Sequence, residues 1–278
     1  MLNFKKIFAS TILLVFATFI FSMTFEPINV MSNSTYSKVE TILAKNKQKT
    51  SSLAGLMSST VRIHVTVSAV KLAPDGTPDQ PITKEWTGSG VVYEKTNGKQ
   101  GQVRSRILSA NHVLKAPEIG SIEEEVVDIM GLQLPNGKSR VDSVKFELQT
   151  ADNRTCALQV LTLGGDDLHD VAVAEADCDA GEVAELALEA PTMGAKVFIV
   201  GYPQGVKLPI LTEGFVSGWS NGYLLTSASA TGGNSGGPVF FNGKVVGLLV
   251  RVGASYSHHT LAVPLEECLM RIAQTPAL

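Results

Sequence analysis

The sequence has no surplus of basic charge. Lys and Arg number 23 against 26 Asp and Glu, for a formal net charge of -3. Such a chain lacks the Lys/Arg stripe that holds a phosphate backbone, which excludes nucleic acid as its main partner. Cysteine is scarce too. Cys156, Cys178 and Cys268 are the three, and none stand at C-x-x-C spacing, so zinc-knuckle and redox-motif readings fall away. His258-His259 is the one histidine pair, whereas two zinc histidines on a helix sit at i, i+4. Neither a metal nor a cofactor is expected. Internal repeats are absent.

What is present concentrates in Ala230-Thr231-Gly232-Gly233-Asn234-Ser235-Gly236-Gly237-Pro238. Glycines on both sides of one serine permit a tight turn that aims a hydroxyl outward and stacks amide N–H groups beside it. Gly233 and Ser235 would supply those two amides as an oxyanion hole. A glycine-rich hairpin without chemistry is the competing reading.

Two further stretches favour the chemical reading. Ile107-Leu108-Ser109-Ala110-Asn111-His112 ends an apolar strand on a histidine, and Asp170-Val171-Ala172-Val173 starts another on an aspartate. Asp166, Asp167 and Asp177 compete with Asp170, which alone directly precedes the apolar run. The order His, Asp, Ser is that of chymotrypsin, not the Asp-His-Ser of subtilisin or the Ser-Asp-His of α/β-hydrolases.

These motifs resemble the trypsin-type serine proteases, specifically the Deg/HtrA-like branch. Gly88-Ser89-Gly90-Val91-Val92, Val200-Gly201-Tyr202-Pro203-Gln204-Gly205 and Gly214-Phe215-Val216-Ser217 complete the set, in the family's order, over roughly residues 59–265. The resemblance implies an all-β fold of two six-stranded antiparallel barrels with the site between them and a short C-terminal helix. It also implies a serine endopeptidase acting on protein or peptide substrates. His112 is then the general base, Asp170 its orienting carboxylate and Ser235 the nucleophile. No PDZ domain is expected after the short C-terminal helix. Asn234 stands where trypsin-type zymogens carry an aspartate that captures a new N-terminus, so activation by N-terminal cleavage is not expected. A catalytically silent scaffold on the same fold is the alternative, although no triad position is lost.

The N-terminus reads separately. Lys5-Lys6 precedes residues 7–25, which carry no charge and are rich in Ile, Leu, Val and Phe. Residues 1–25 are expected to be a signal peptide or a signal anchor, exporting the protein; if uncleaved, the helix tethers it to the membrane with the protease outside the cytoplasm. Residues 26–58 read as a polar stalk with a short helix near residues 38–45, and residues 59–278 as the protease domain. Within that domain Val61-Arg62-Ile63-His64-Val65-Thr66-Val67 alternates as a half-buried strand. Residues 72–83 and the acidic stretch 116–140 read as loops.

Two finer expectations follow. The specificity pocket is placed at Ser229, Val250, Val252 and Thr260, none of them charged, so a small or medium uncharged side chain is expected before the cut bond. Cys156 and Cys178 flank the Asp170 segment on strands that could bring them within the ~4.4–6.8 Å Cα range of a disulfide, the alternative being two buried thiols.

Overall fold

Alternation along β1 (Thr60–Leu72) builds the first sheet: Val61, Ile63, Val65 and Val67 are buried, with more accessible residues between them. This is the period-2 signature of a strand with one face in a core. The structure is a computed structural model and describes residues 33–45, 52–98, 101–129, 132–252 and 259–275. The signal or anchor expected at residues 1–25 lies outside the described residues. Among those described, no helix is long and apolar enough to cross a membrane.

The first sheet holds seven strands in the order β1-β2-β3-β7-β6-β5-β4, with a further β1–β5 pairing. Here β2 is Pro78–Asn97, β3 Val103–Ser109, β4 Ile122–Ile129, β5 Leu132–Gln149, β6 Thr155–Thr162 and β7 Ala172–Ala176. The β1–β5 pairing, from Arg62↔Gln149 to Leu72↔Lys138, brings the ends of six strands together and leaves β4 on the outside of β5. The second sheet is a closed barrel, β10-β13-β12-β11-β8-β9. Its strands are β8 (Lys196–Gly201), β9 (Ile210–Ser220), β10 (Tyr223–Thr226), β11 (Pro238–Phe241), β12 (Lys244–Val252) and β13 (Thr260–Pro264).

Two segments read as loops are strands. Residues 78–83 pair with β1 as far as Leu72↔Pro78, and residues 122–129 pair with β5. Both stand clear of the barrel interior: Pro78 to Pro81 and Ile122 to Glu124 are all exposed. A strand exposed on both faces has no burial alternation to write into its sequence, so backbone pairing alone forms it.

Helices cap the fold. In α1 (Asn33–Lys45) Val39 is fully buried, and α2 (Leu53–Ser58) buries Leu56. After the single turn α3 (Asn111–Leu114), the last helix is α4 (Leu265–Gln274), which buries Leu265, Cys268, Leu269, Ile272 and Ala273. That i, i+3, i+4, i+7, i+8 stripe is what a helix lying on a core requires. The stretch expected to be a polar stalk thus contains α1, which packs on α4, with the Lys38 ammonium donating to the Ala273 carbonyl at 3.4 Å.

Ser89 of β2 makes three hydrogen bonds that tie the two sheets together. Its N–H donates to the Ser235 carbonyl at 2.7 Å, and its hydroxyl donates to the Gly233 carbonyl at 2.7 Å while accepting from the Tyr202 N–H at 2.9 Å. Ser109 donates in turn to the Ser89 carbonyl at 2.7 Å. Ser89 and Ser109 are fully buried, so each bond is made without competition from water.

Cys156 and Cys178 form a disulfide with a Cα separation of 6.1 Å, and Cys268 is a buried free thiol. Replacing both bridged cysteines by serine is expected to lower stability by about 3 kcal/mol, the loop-closure value for a 22-residue separation, read by thermal unfolding. Thiol counting should find one reactive group in the unreduced, denatured chain; three would contradict the bridge.

A second prediction concerns the seam. Gly236 sits at φ +82, and a Cβ there would fall on the Ser109 hydroxyl, the Ser89 carbonyl and the Ala110 amide. Gly232 has nothing within 4 Å. Gly236→Ala should cost about 2–5 kcal/mol and Gly232→Ala almost none. Equal melting temperatures for the two variants would show that the seam is not rigid.

Candidate active site

His112 is delivered by the end of β3 and held by its local turn. The short α3 turn closes with the Lys115 N–H on the Asn111 carbonyl at 2.7 Å. Val113 fills the space above Gly88, where a Cβ would lie 2.6 Å from its Cγ2. The buried Asn111 side chain donates to the Gly165 carbonyl at 3.0 Å, tying the histidine turn to the loop that carries Asp170.

That loop ends in a single 3-10 turn, Asp167–His169, which leaves Asp170 pointing back at the histidine. One carboxylate oxygen accepts the His112 backbone N–H at 2.9 Å, and the other pairs with His112 Nδ1 at 2.7 Å. A carboxylate only accepts, so Nδ1 carries the proton and Nε2 keeps its lone pair. The Asp170 side chain is 6% exposed and that of His112 48%, a buried anion beneath a half-open imidazole. The other aspartates weighed in the sequence go elsewhere. Asp167 is exposed and pairs with Arg251 at 3.2 Å, and Asp166 and Asp177 are exposed. His169 turns to Glu267 of α4 at 3.7 Å, and burial raises the Glu267 carboxyl above its ordinary value against the opposing pull of His169.

The Ser235 loop is built from backbone. Asn234 N–H donates to Thr231 O at 3.1 Å and Gly237 N–H to Asn234 O at 2.9 Å. The loop is stitched to β12 by Gly236 N–H on Leu249 O at 2.7 Å and Leu249 N–H on Gly237 O at 2.8 Å. Gly233 adopts φ +96, a conformation that costs glycine nothing, and the Gly232 carbonyl accepts the Gln204 N–H at 2.7 Å. Among the described residues, the amides of Gly233 and Ser235 donate to no protein acceptor. His112 and Asp170 are thus joined directly, whereas Ser235 reaches them through the Ser89–Ser109 relay, with no side-chain hydrogen bond of its own among the described residues.

The four residues placed at the specificity pocket divide. Ser229 and Val252 are exposed, and the Ser229 carbonyl accepts the Thr212 hydroxyl at 2.9 Å. Val250 and Thr260 are buried, and the Thr260 hydroxyl lies 2.5 Å from that of Thr226. Sequence reasoning missed Thr226, Ser89, Ser109 and Asn111 as organising residues. The signal available for Ser89 and Ser109 was a hydroxyl residue at a strand end beside glycine or the histidine turn. A separate cleft of about 670 Å³ is lined by residues including Lys95, Asp152, Arg154 and Asp179, none of them a predicted site residue. Four of its charges pair among themselves, Lys95 with Asp179 at 2.7 Å and Arg154 with Asp152 at 2.8 Å.

Comparison with known proteins agrees with this architecture. Among solved structures, the Rv3671c protease of M. tuberculosis in its active form superposes with a TM-score of 0.54 at 18% identity, over 81% of this chain and 84% of that one. The HtrA-type protease AlgW, solved with a decapeptide, gives 0.55 at 18% identity over 80% and 66%. The serine endoprotease of Yersinia pestis gives 0.52 at 19% identity over 79% and 65%. Likeness at this identity establishes the fold. A curated relative, "Putative protease Do-like 12, mitochondrial" of Arabidopsis thaliana, is 34% identical over 96 residues, 30% of this chain, and the chain spans 19% of that relative's length. A family model, the trypsin-like peptidase domain, matches residues 88–248, a stretch that contains His112, Asp170 and Ser235. The chain belongs to the family of trypsin-like peptidase domains.

Proposed function

We propose that the chain is a serine endopeptidase in which His112, Asp170 and Ser235 form the catalytic triad. The observation that carries this reading is the double clasp of Asp170 on His112, through both the backbone amide and Nδ1. It fixes the tautomer with a basic Nε2, the form that takes a proton from an attacking serine. Ser235 Oγ then adds to the scissile carbonyl as its proton passes to Nε2. The imidazolium, stabilised by Asp170, returns that proton to the leaving amine; water reverses the sequence to release the acid. The unpartnered amides of Gly233 and Ser235 are the donors for the oxyanion, and their glycine-governed geometry holds them in place before charge develops. A base–nucleophile contact that closes only with substrate bound is common in resting enzymes.

Asn234 is buried beside Gly201 and brings no carboxylate to pair with a new N-terminal ammonium, which supports activity without N-terminal cleavage. The disulfide fits an exported protein in an oxidising compartment. The pocket residues Ser229, Val250, Val252 and Thr260 carry no charge, and the Arg251 guanidinium is drawn to Asp167. A small or medium uncharged side chain on the acyl side of the cut follows from that lining.

Ser235→Ala and His112→Ala should each reduce kcat by about 10⁶, leaving the ~10³–10⁴-fold advantage over water that binding and the oxyanion hole supply. A fluorophosphonate should label the parent protein and not Ser235→Ala. Near-parental turnover in either variant would defeat the triad, and a folded parent that neither labels nor cleaves would be a silent scaffold. Profiling on a peptide mixture tests the pocket: cuts concentrated after Lys, Arg, Asp or Glu would contradict the uncharged preference.

A further inference from the structure

Directly across from Ser89, on β1, stands Arg62. Residues opposite each other in an antiparallel pair share a face, with Cβ atoms about 5 Å apart. The Ser89 hydroxyl points to the Gly233 carbonyl and the Tyr202 amide, so Arg62 rises on that same side of the sheet. Its guanidinium meets the chain again at Gly205. A Cβ there would lie 3.2 Å from Nη2 of Arg62 and 4.0 Å from the Thr87 hydroxyl, so the glycine leaves that space open. One residue earlier, the Gln204 N–H donates to the Gly232 carbonyl at 2.7 Å, and a Cβ on Gly233 would lie 3.0 Å from the Gln204 nitrogen. Arg62 is thus linked to the Ser235 loop from two directions, through β2 and through residues 202–205.

These links place it on one side of Ser235. On one flank the Ser235 loop is bonded to β12, which carries Val250 and Val252 of the pocket assigned to the acyl side of the cut. On the other flank lie Ser89 and Gln204. A chain that crosses Ser235 with its acyl side toward β12 leaves toward Thr87, Gly205 and Arg62.

Arg62 lacks a carboxylate. A guanidinium offers five N–H donors. Nη1 donates to the neutral Gln149 side chain at 3.1 Å, and Nε is closed off from solvent with no partner among the described residues. Arg104 and Arg106 also have a closed-off Nε, but both pair with Glu175, and Arg106 with Glu94 as well. The acids that share a sheet face with Arg62 are engaged elsewhere: Glu85 lies 3.6 Å from His64, and Glu147 2.8 Å from Lys145. Asp152, in the turn after β5, pairs with Arg154 at 2.8 Å. A half-buried cation held by one neutral amide therefore faces the way out of the site.

We propose that Arg62 selects a carboxylate on the leaving-group side of the substrate, either an acidic side chain within the first few residues past the cut or the C-terminus of a short peptide. The inference rests on the triad and pocket readings above. Nη1 and Nη2 each keep a hydrogen for a carboxylate taken in the two-bond, planar geometry that suits arginine. Gln149 holds the fork in place without neutralising it. Arg62 touches none of the reacting atoms, so its effect is on which substrates are chosen.

The test compares kcat/KM for peptides identical up to the cut, with Glu or Gln at each of the first four positions after it and with a free or amidated C-terminus. Glu at one position, or the free terminus, should be favoured about tenfold over its neutral counterpart, and the arm that shows the preference identifies the source of the carboxylate. Arg62→Gln should bring that ratio to near one, and Arg62→Lys should retain only part of it. Gln149→Glu leaves Arg62 in place but hands it an internal carboxylate, and should also erase the preference. Each result is a ratio within one variant, so a general loss of activity does not imitate it. A parent with no acidic preference at any position overturns the proposal, as does a preference that survives Arg62→Gln. Should Arg62→Gln not fold, a preference that survives Gln149→Glu overturns it instead. If the parent cleaves no peptide, the triad reading falls separately. Fluorescence anisotropy of the same peptides on Ser235→Ala then decides on Arg62, and equal affinity for acidic and neutral peptides would overturn its role.

Discussion

The structure depends on one buried serine that speaks to both sheets. Ser89 belongs to the first sheet, but its amide and hydroxyl hold two carbonyls of the Ser235 loop, each at 2.7 Å. That loop has little side-chain substance of its own. It is mostly glycine, and a glycine-rich segment is entropically expensive to order. Bonds from a rigid, desolvated strand supply what the missing side chains cannot. The same serine carbonyl takes the hydroxyl of Ser109, three residues before His112. The spacing between His112 and Ser235, contributed by different sheets, is therefore set through two hydroxyl groups and a strand rather than by direct contact.

Much of the candidate site was legible in the sequence because the residues it brings together are of few types. A serine between glycines, a histidine after an apolar strand and an aspartate before another are each visible in one dimension, and their order adds to the signal. The interior strands were legible for a different reason: β1 faces a core on one side only, so burial imposed alternation at Val61, Ile63, Val65 and Val67. The outer parts of β2 and β4 were illegible because exposure on both faces removes that pressure. The pairings of Ser89 were illegible too, because a hydrogen bond between residues 144 positions apart leaves no periodic trace.

The loop before Asp170 shows how position decides the fate of like groups. Four aspartates lie within a dozen residues, but only the one sealed under the imidazole has both oxygens engaged by it. Asp167, three residues away and mostly exposed, makes a solvent-screened pair with Arg251 of the kind worth little in stability. Its contribution is geometric: it joins β12, which stitches the Ser235 loop in place, to the loop that carries Asp170.

The docking of α1 on α4 gives the molecule a defined load path. Val39 is buried and Lys38 grips the last turn of α4 at Ala273. In turn α4 packs on β7, β12 and β13 and meets His169 through Glu267. Tension on the chain ahead of α1 is therefore borne first by a helix pair and not by either barrel. The helix pair acts as a strain relief between whatever precedes residue 33 and the strands that hold His112, Asp170 and Ser235. A truncation that removes α1 would do more than shorten the chain, because it would strip apolar cover from α4, the helix whose Glu267 meets His169 beside Asp170.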